Sequence, residues 1–252
     1  MFSKDFYIQI MNYYTEYKEQ YDKKNLIGIR LCECDDDTML AYTNNEELME
    51  CIKNGRNVTL YISSRFIMCS EQYIKAVLFH EFTHISDAYN FVGYDNSNIL
   101  MSTFSEYNAA RIEIMERCKN KSITLDKIIC GEGGDTTLKE EIEDKIDNVL
   151  IIPKMTECER KELLKQGKEG LYFNFLIKNL SYLLAYISFI EITEEDYFKN
   201  CFKRLEEHRL CEIVKNIYNN VQNLNQILDN PYLIIMEVMK IYHMYFGDYR
   251  IT

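Results

Sequence analysis

A chain of 252 residues suffices for one large domain or two small ones, with a substantial core. Only 9 Gly and 2 Pro stand against 20 Tyr and 13 Phe, which excludes collagen-like, fibrous and wholly disordered classes. The net charge of −11 is shared evenly: 14 basic against 19 acidic residues up to position 130, and 15 against 21 beyond it, so neither half has the basic footprint of a nucleic-acid or anionic-membrane binder.

The first twenty residues predict a helix, with Phe6, Tyr13, Tyr14 and Tyr17 near helical spacing and no apolar core of signal-peptide type. Three segments then favour strands, Leu26–Cys34, Met39–Thr43 and Val58–Ser63, separated by turn-forming Asp35–Asp37 and Asn54–Asn57. Cys32 and Cys34 lack the second pair that a zinc knuckle needs and read as coincidence. The nine cysteines, an odd number spread through a chain too large to need staples, predict reduced thiols and a cytoplasmic protein. Helix Ser70–Asn90 follows, with Ser70 as N-cap and Ile74, Leu78, Phe82, Ile85 and Tyr89 as one apolar stripe. A loop, Phe91–Met101, leads to a second helix over about Thr103–Asn120.

Cys130–Asp135 (CGEGGD) has neither a preceding strand nor a following GK[ST], so it reads as a linker, more open to proteases than its flanks. Beyond it the pattern is helical over about 136–150, 157–190, 193–220 and 231–246, with Pro231 in the first turn of the last. Leu171–Ile190 is long and apolar enough to raise the question of a membrane span. Lys178 near its centre, at a cost of roughly 2.5–3.5 kcal/mol in a bilayer, makes it a buried core helix instead. The expected class is α+β: a mixed N-terminal domain over residues 1–130 with a small sheet, and an all-helical domain or extension over 131–252.

His80-Glu81-Phe82-Thr83-His84 is an HExxH string. On a helix, residues four apart lie about 40° from one another and one turn along, so both imidazoles reach one metal ion. Glu81, rotated about 100° from His80, comes beside the water that it must deprotonate without ligating the metal. With 4 His and 26 Glu in the chain, roughly 0.005 such strings are expected by accident, so two merely structural histidines are a poor alternative.

Zinc wants a third protein ligand and an open fourth position. Asp87 lies roughly 10 Å along the axis from His80, too far for the same tetrahedron, and suits an outer-shell carboxylate. Cys69 precedes the helix and also reads as a buried thiol; Asp95 sits in a loop able to fold back. Glu106 is best placed, 22 residues after His84 on the next helix, although Thr103-Phe104-Ser105-Glu106 also fits a capping box.

HEFTH on a helix that follows strands, with Glu106 on a second helix, resembles the gluzincin (thermolysin-like) group of zinc metallopeptidases over roughly residues 57–120. The resemblance implies a zincin-type active-site helix and a glutamate helix, Zn2+ held by His80, His84 and Glu106, Glu81 as general base, and a peptide or protein substrate. It implies too that Val58–Ser63 is an edge strand that pairs with substrate. The thermolysin pattern has an Asp four residues after the ligand Glu to orient a histidine; Ala110 stands there, which leaves that task to Asp87, Asn108 or Glu113. Glu106-Tyr107-Asn108-Ala109 is also similar to the ExxA segment of ImmA/IrrE-type metallopeptidases. Candidates for an oxyanion donor are Tyr89, Tyr94, Tyr107, His208 and His243, with nothing to choose among them. Two other functions share these residues: a non-heme iron enzyme with the same two His and one carboxylate, and a non-catalytic or regulatory module shaped by its metal. No nucleic acid or membrane partner is expected, and spacing does not set an oligomeric state.

Overall fold

In the computed structural model, which describes residues 2–21, 23, 28–34, 39–94, 97–118, 123–132, 134–190 and 194–247, Ser3 accepts from Phe6 N–H and opens α1 (Lys4–Gln20). β1 (Ile29–Cys34), β2 (Ala41–Tyr42), α2 (Asn45–Lys53) and β3 (Val58–Ser63) follow. A 3-10 turn over Ser64–Met68 leads to α3 (Glu71–Phe91). The expected residues 26–27, 35–37, 95, 119–120 and 133, and the start of the helix expected at 193, lie outside the described ones. Asn45–Lys53, absent from the expected elements, is a helix whose start is capped by Asn44, accepting from Glu47 N–H at 3.0 Å.

The three strands form one sheet in the order β1-β3-β2, with β1 parallel to β3 (Ile29 opposite Val58) and β2 antiparallel to it (Ala41 opposite Ile62). β3 is therefore central, not an edge. Its residues are buried apart from the half-buried Tyr61, so both faces of the strand are largely covered. The edge beside α3 is β2.

α3 packs against α1 through an aromatic seam. Tyr14 meets Phe82 at 4.8 Å between ring centroids, and Tyr17 meets Phe79 at 5.4 Å and Phe82 at 5.7 Å. Tyr17 also donates to Thr83 Oγ1 at 3.2 Å. Of the expected stripe, Ile74, Leu78, Phe82 and Ile85 are buried, whereas Tyr89 is exposed. The stretch His80–Ala88 is buried all round, so α3 is the central helix of its unit.

The later part of the expected loop, from Ser97 on, is helical, while Val92–Tyr94 are not. α4 (Ser97–Leu100), a π-helical turn (Met101–Ser105) and α5 (Glu106–Arg117) follow one another without a break. β4 (Ile128–Ile129) and β5 (Thr136–Thr137) then pair as a two-stranded ribbon. The glycine-rich Cys130–Asp135, expected as a linker, joins β4 to β5 in the chain. Cys130 C=O accepts from Arg117 Nε at 2.6 Å, and Glu132 pairs with Arg65.

Two compact units result. One comprises Met1–Met101, Asn108–Ser122 and Ile128–Thr136; the other, Ser102–Tyr107, Ile123–Lys127 and Thr137–Thr252. The second unit is helical, with α6 (Leu138–Val149), α7 (Ile151–Lys154), α8 (Glu157–Lys165), α9 (Glu169–Ile190), α10 (Glu195–Glu206), α11 (Cys211–Val221), α12 (Leu224–Asp229) and α13 (Tyr232–Phe246). The chain is thus mostly helical, with a small mixed sheet near the N-terminus and a helical C-terminal half. α9 is long and apolar enough to cross a membrane by length and composition, but 67% of its most apolar window is buried against its neighbours. It packs on α6, where Tyr186 donates to Glu141, and on α13, where Phe173 meets Tyr242 edge-on at 5.1 Å.

The two longest expected helices are each cut once. Gly167, at φ +63°, ends α8, and the next amide (Lys168) bonds back to Leu163 C=O at 3.0 Å, a glycine-terminated helix end. Arg209 turns the chain after α10 in the same left-handed region, at φ 61°. A side chain is strained there by roughly 1–2 kcal/mol, and no glycine signals the break.

α6 begins with a complete capping box: Thr137 and Glu140 satisfy each other's backbone amides at 3.2 and 2.8 Å. Thr137→Ala is expected to cost about 1 kcal/mol of stability, read as a lowered urea midpoint with an unchanged slope. All nine cysteines are free. Cys158 is exposed, whereas burial, with Glu143 adding its charge, pushes the Cys201 thiol up to about 12. Alkylation of the native protein, followed by peptide mapping, is expected to label Cys158 first and Cys201 last; equal rates would contradict the burial.

Candidate metal centre

The N-cap Ser70, whose Oγ accepts from Tyr73 N–H at 3.3 Å, sets the start of α3 and hence the rotation of everything after it. Ten residues on, His80 and His84 stand one turn apart, 4% and 6% exposed. Their Nε2 atoms face each other at 3.0 Å, with the rings nearly perpendicular. Two ring nitrogens so close need something between them: a shared proton or a shared cation.

The π-helical turn widens the backbone by one residue per turn just before Glu106 and so resets the face that α5 presents. Among the described residues, one set of three metal-ligating side chains converges: His80, His84 and Glu106, with ligand atoms all within 4.8 Å of one another. The capping-box reading of Glu106 fails, because residues 103–106 lie inside a continuous helical run with no start to cap. Lys178 Nζ lies 3.3 Å from Glu106 Oε1.

The donors suit a divalent ion. Two imidazole nitrogens and a carboxylate are compatible with a divalent metal ion, and ligand atoms of one tetrahedron at about 2.0–2.1 Å from such an ion stand roughly 3.3 Å apart. The facing nitrogens are close to that spacing.

Antiparallel contacts brace α3 against α5. Gln72 donates to the carbonyls of Glu116 and Arg117, His80 meets Glu113, and Asn108 donates to Asp87 at 3.0 Å. His80 Nδ1 is 3.0 Å from Glu113 Oε2, so a proton on Nδ1 binds the carboxylate and leaves the Nε2 lone pair for an ion. Of the three residues considered for this role, Glu113 therefore touches His80, while Asp87 and Asn108 hold each other as a cross-brace. Glu106 and Glu113 are seven residues apart, two turns, and share one face of α5, which Ala110 also lines.

Glu81, 5% exposed, is held by Thr43: its Oε2 accepts from Thr43 N–H at 2.9 Å and from the hydroxyl at 3.3 Å. Nothing in the spacing of the sequence singles out Thr43, which only ends a predicted strand. Cys69 lies outside the converging set, and burial raises its thiol above the ordinary range, against the thiolate that a metal needs. Cys32 and Cys34 likewise stay outside the set. Among the oxyanion candidates, Tyr107 is buried, Tyr89 and Tyr94 are exposed, and His243 Nδ1 is 3.3 Å from Gly247 C=O at the end of its own helix.

Comparison with protein-family models, with curated proteins and with solved structures returns no match. The functional reading rests on the residues themselves.

Proposed function

We propose that the chain is a zinc-dependent peptidase of the gluzincin type, hydrolysing peptide bonds with Glu81 as general base. The observation that supports this reading is the convergence of His80, His84 and Glu106 beside a buried Glu81 fixed by two donors. His80, His84 and Glu106 hold the ion; Zn2+ bound there supplies Lewis acidity, polarising a substrate carbonyl and acidifying water toward neutrality.

The remaining work falls to the chain. Thr43 fixes the Glu81 carboxylate, so that the carboxylate takes the proton of the attacking water and passes it to the departing amine nitrogen. An extended peptide would pair with β2, the end strand of the sheet among the described residues, which Thr43 directly follows. A hydrolytic role explains the spare carboxylate in the motif better than oxygen chemistry does, because an iron oxygenase has no use for a base there.

The test is metal content together with cleavage of a peptide library by the zinc-loaded protein and by Glu81→Gln. Tightly held zinc and cleavage that disappears in the variant support the reading; absence of a bound transition metal from the wild type overturns it.

A further inference from the structure

The ribbon connection and His80 are joined by a chain of contacts within one unit. Arg117, one turn after Glu113 on α5, is 4% exposed. Its Nη1 lies 3.4 Å from Glu113 Oε1, its Nε donates to Cys130 C=O at 2.6 Å, and its guanidinium sits over the Tyr73 ring at 5.5 Å. Glu113 spends its other oxygen on His80 Nδ1. A buried arginine is used here for its rigid fork, which sets the angle between two acceptors, and not for charge alone.

The glycines shape the acceptor. A Cβ added at Gly131 would meet Gly134 C=O at 2.8 Å, so the turn that presents Cys130 C=O to Arg117 closes only without a side chain at that position. The glycine-rich run thus has a structural employment at the far end of the His80 contacts.

We propose that Arg117 is a positioning residue for the metal centre, and that the turn residues Cys130–Glu132 set its grip: Cys130 C=O holds Arg117, Arg117 orients Glu113, and Glu113 orients His80. This rests on the metal-binding reading above. Orientation of a ligating histidine by its partner carboxylate is worth about 10–100-fold in metal affinity, and loosening the turn is expected to spend part of it. By reciprocity, a bound ion steadies the turn.

The test titrates Zn2+ and Co2+ into the full-length protein, using a competing chelator and the Co2+ absorption spectrum. Arg117→Lys keeps the charge and loses the fork; its affinity is expected to fall by about 10–100-fold with an altered Co2+ spectrum. Gly131→Ala, remote from every ligand, is the second variant, with a fall of several-fold and on the order of tenfold at most. Arg117→Lys combined with Glu113→Gln is expected to be no worse than the weaker single variant, because both break one chain. In the wild type, metal is expected to slow amide exchange at Cys130–Glu132, and Arg117→Lys to abolish that slowing.

A residue serving the fold alone would lower the melting temperature of the metal-free protein and leave affinity, spectrum and additivity untouched; that result overturns the proposal. If Arg117→Lys does not fold, Gly131→Ala decides: wild-type affinity in that variant also overturns it. A wild type that takes up no metal overturns the underlying reading instead, which keeps the two failures apart.

Discussion

Glu81→Gln is expected to lower peptide turnover by about 10²–10⁴-fold while leaving zinc content near that of the wild type. The glutamine is isosteric and keeps an oxygen to accept from Thr43 N–H, now at 2.9 Å, so the packing around a residue only 5% exposed is preserved. What it loses is the ability to take a proton. Glu81 is not among the three converging donors, so the ion has no reason to leave. His84→Ala is the contrasting arm, because it removes a donor and is expected to empty the site. Metal analysis of both variants beside a cleavage assay separates three cases. Turnover lost with metal kept supports the base. Metal lost in both makes Glu81 part of the cage. Unchanged turnover in Glu81→Gln ends the hydrolytic reading.

How far the sequence disclosed this site depends on which contacts are local. His80, Glu81 and His84 are related by helical periodicity alone, and the cap and apolar stripe of α3 were visible in the same stretch. Glu106 was reachable as a carboxylate on the next helix, but the π-helical turn that orients it has no simple sequence signature. Glu113 stood one candidate among three, because the expected orienting position holds Ala110; the clue was the seven-residue spacing from Glu106, which returns to the same helical face. Thr43 and Arg117 act through tertiary contacts across 38 and 13 residues, and no pattern within a helix or strand encodes those.

The fold shows the same division. Asn44 and Glu47 carried a legible cap signal for α2 that the strand-centred reading passed over. The central position of β3 depended on pairing order, which alternation of side chains does not express. Gly167 marked the break after α8, whereas Arg209 hid the equivalent break after α10, since a left-handed residue other than glycine looks ordinary in sequence. The glycines of Cys130–Asp135 suggest a linker, and the flanking two-residue strands are too short to alternate and so carry no signal of a ribbon.

Phe82→Ala is expected to destabilise the protein by about 3–5 kcal/mol, and so to lower its melting temperature on the order of 10 °C. Phe82 is fully buried, and its ring lies 4.8 Å from Tyr14, 5.7 Å from Tyr17 and 6.3 Å from Phe79. These rings cannot all follow a lost side chain inward: Tyr17 is tied by its hydroxyl to Thr83, and Phe79 lies under the Lys75 ammonium at 5.0 Å. A cavity therefore remains, and its cost adds to the lost transfer energy. The change falls between Glu81 and His84 on the same helix without touching a donor, so scaffold and chemistry respond differently. Excess Zn2+ is expected to raise the melting temperature of Phe82→Ala, because an ion that binds only the native state stabilises it by mass action. His84→Ala should show no such rescue. A loss of less than about 1 kcal/mol in Phe82→Ala would mean that the seam between α1 and α3 is not what holds the two histidines in register.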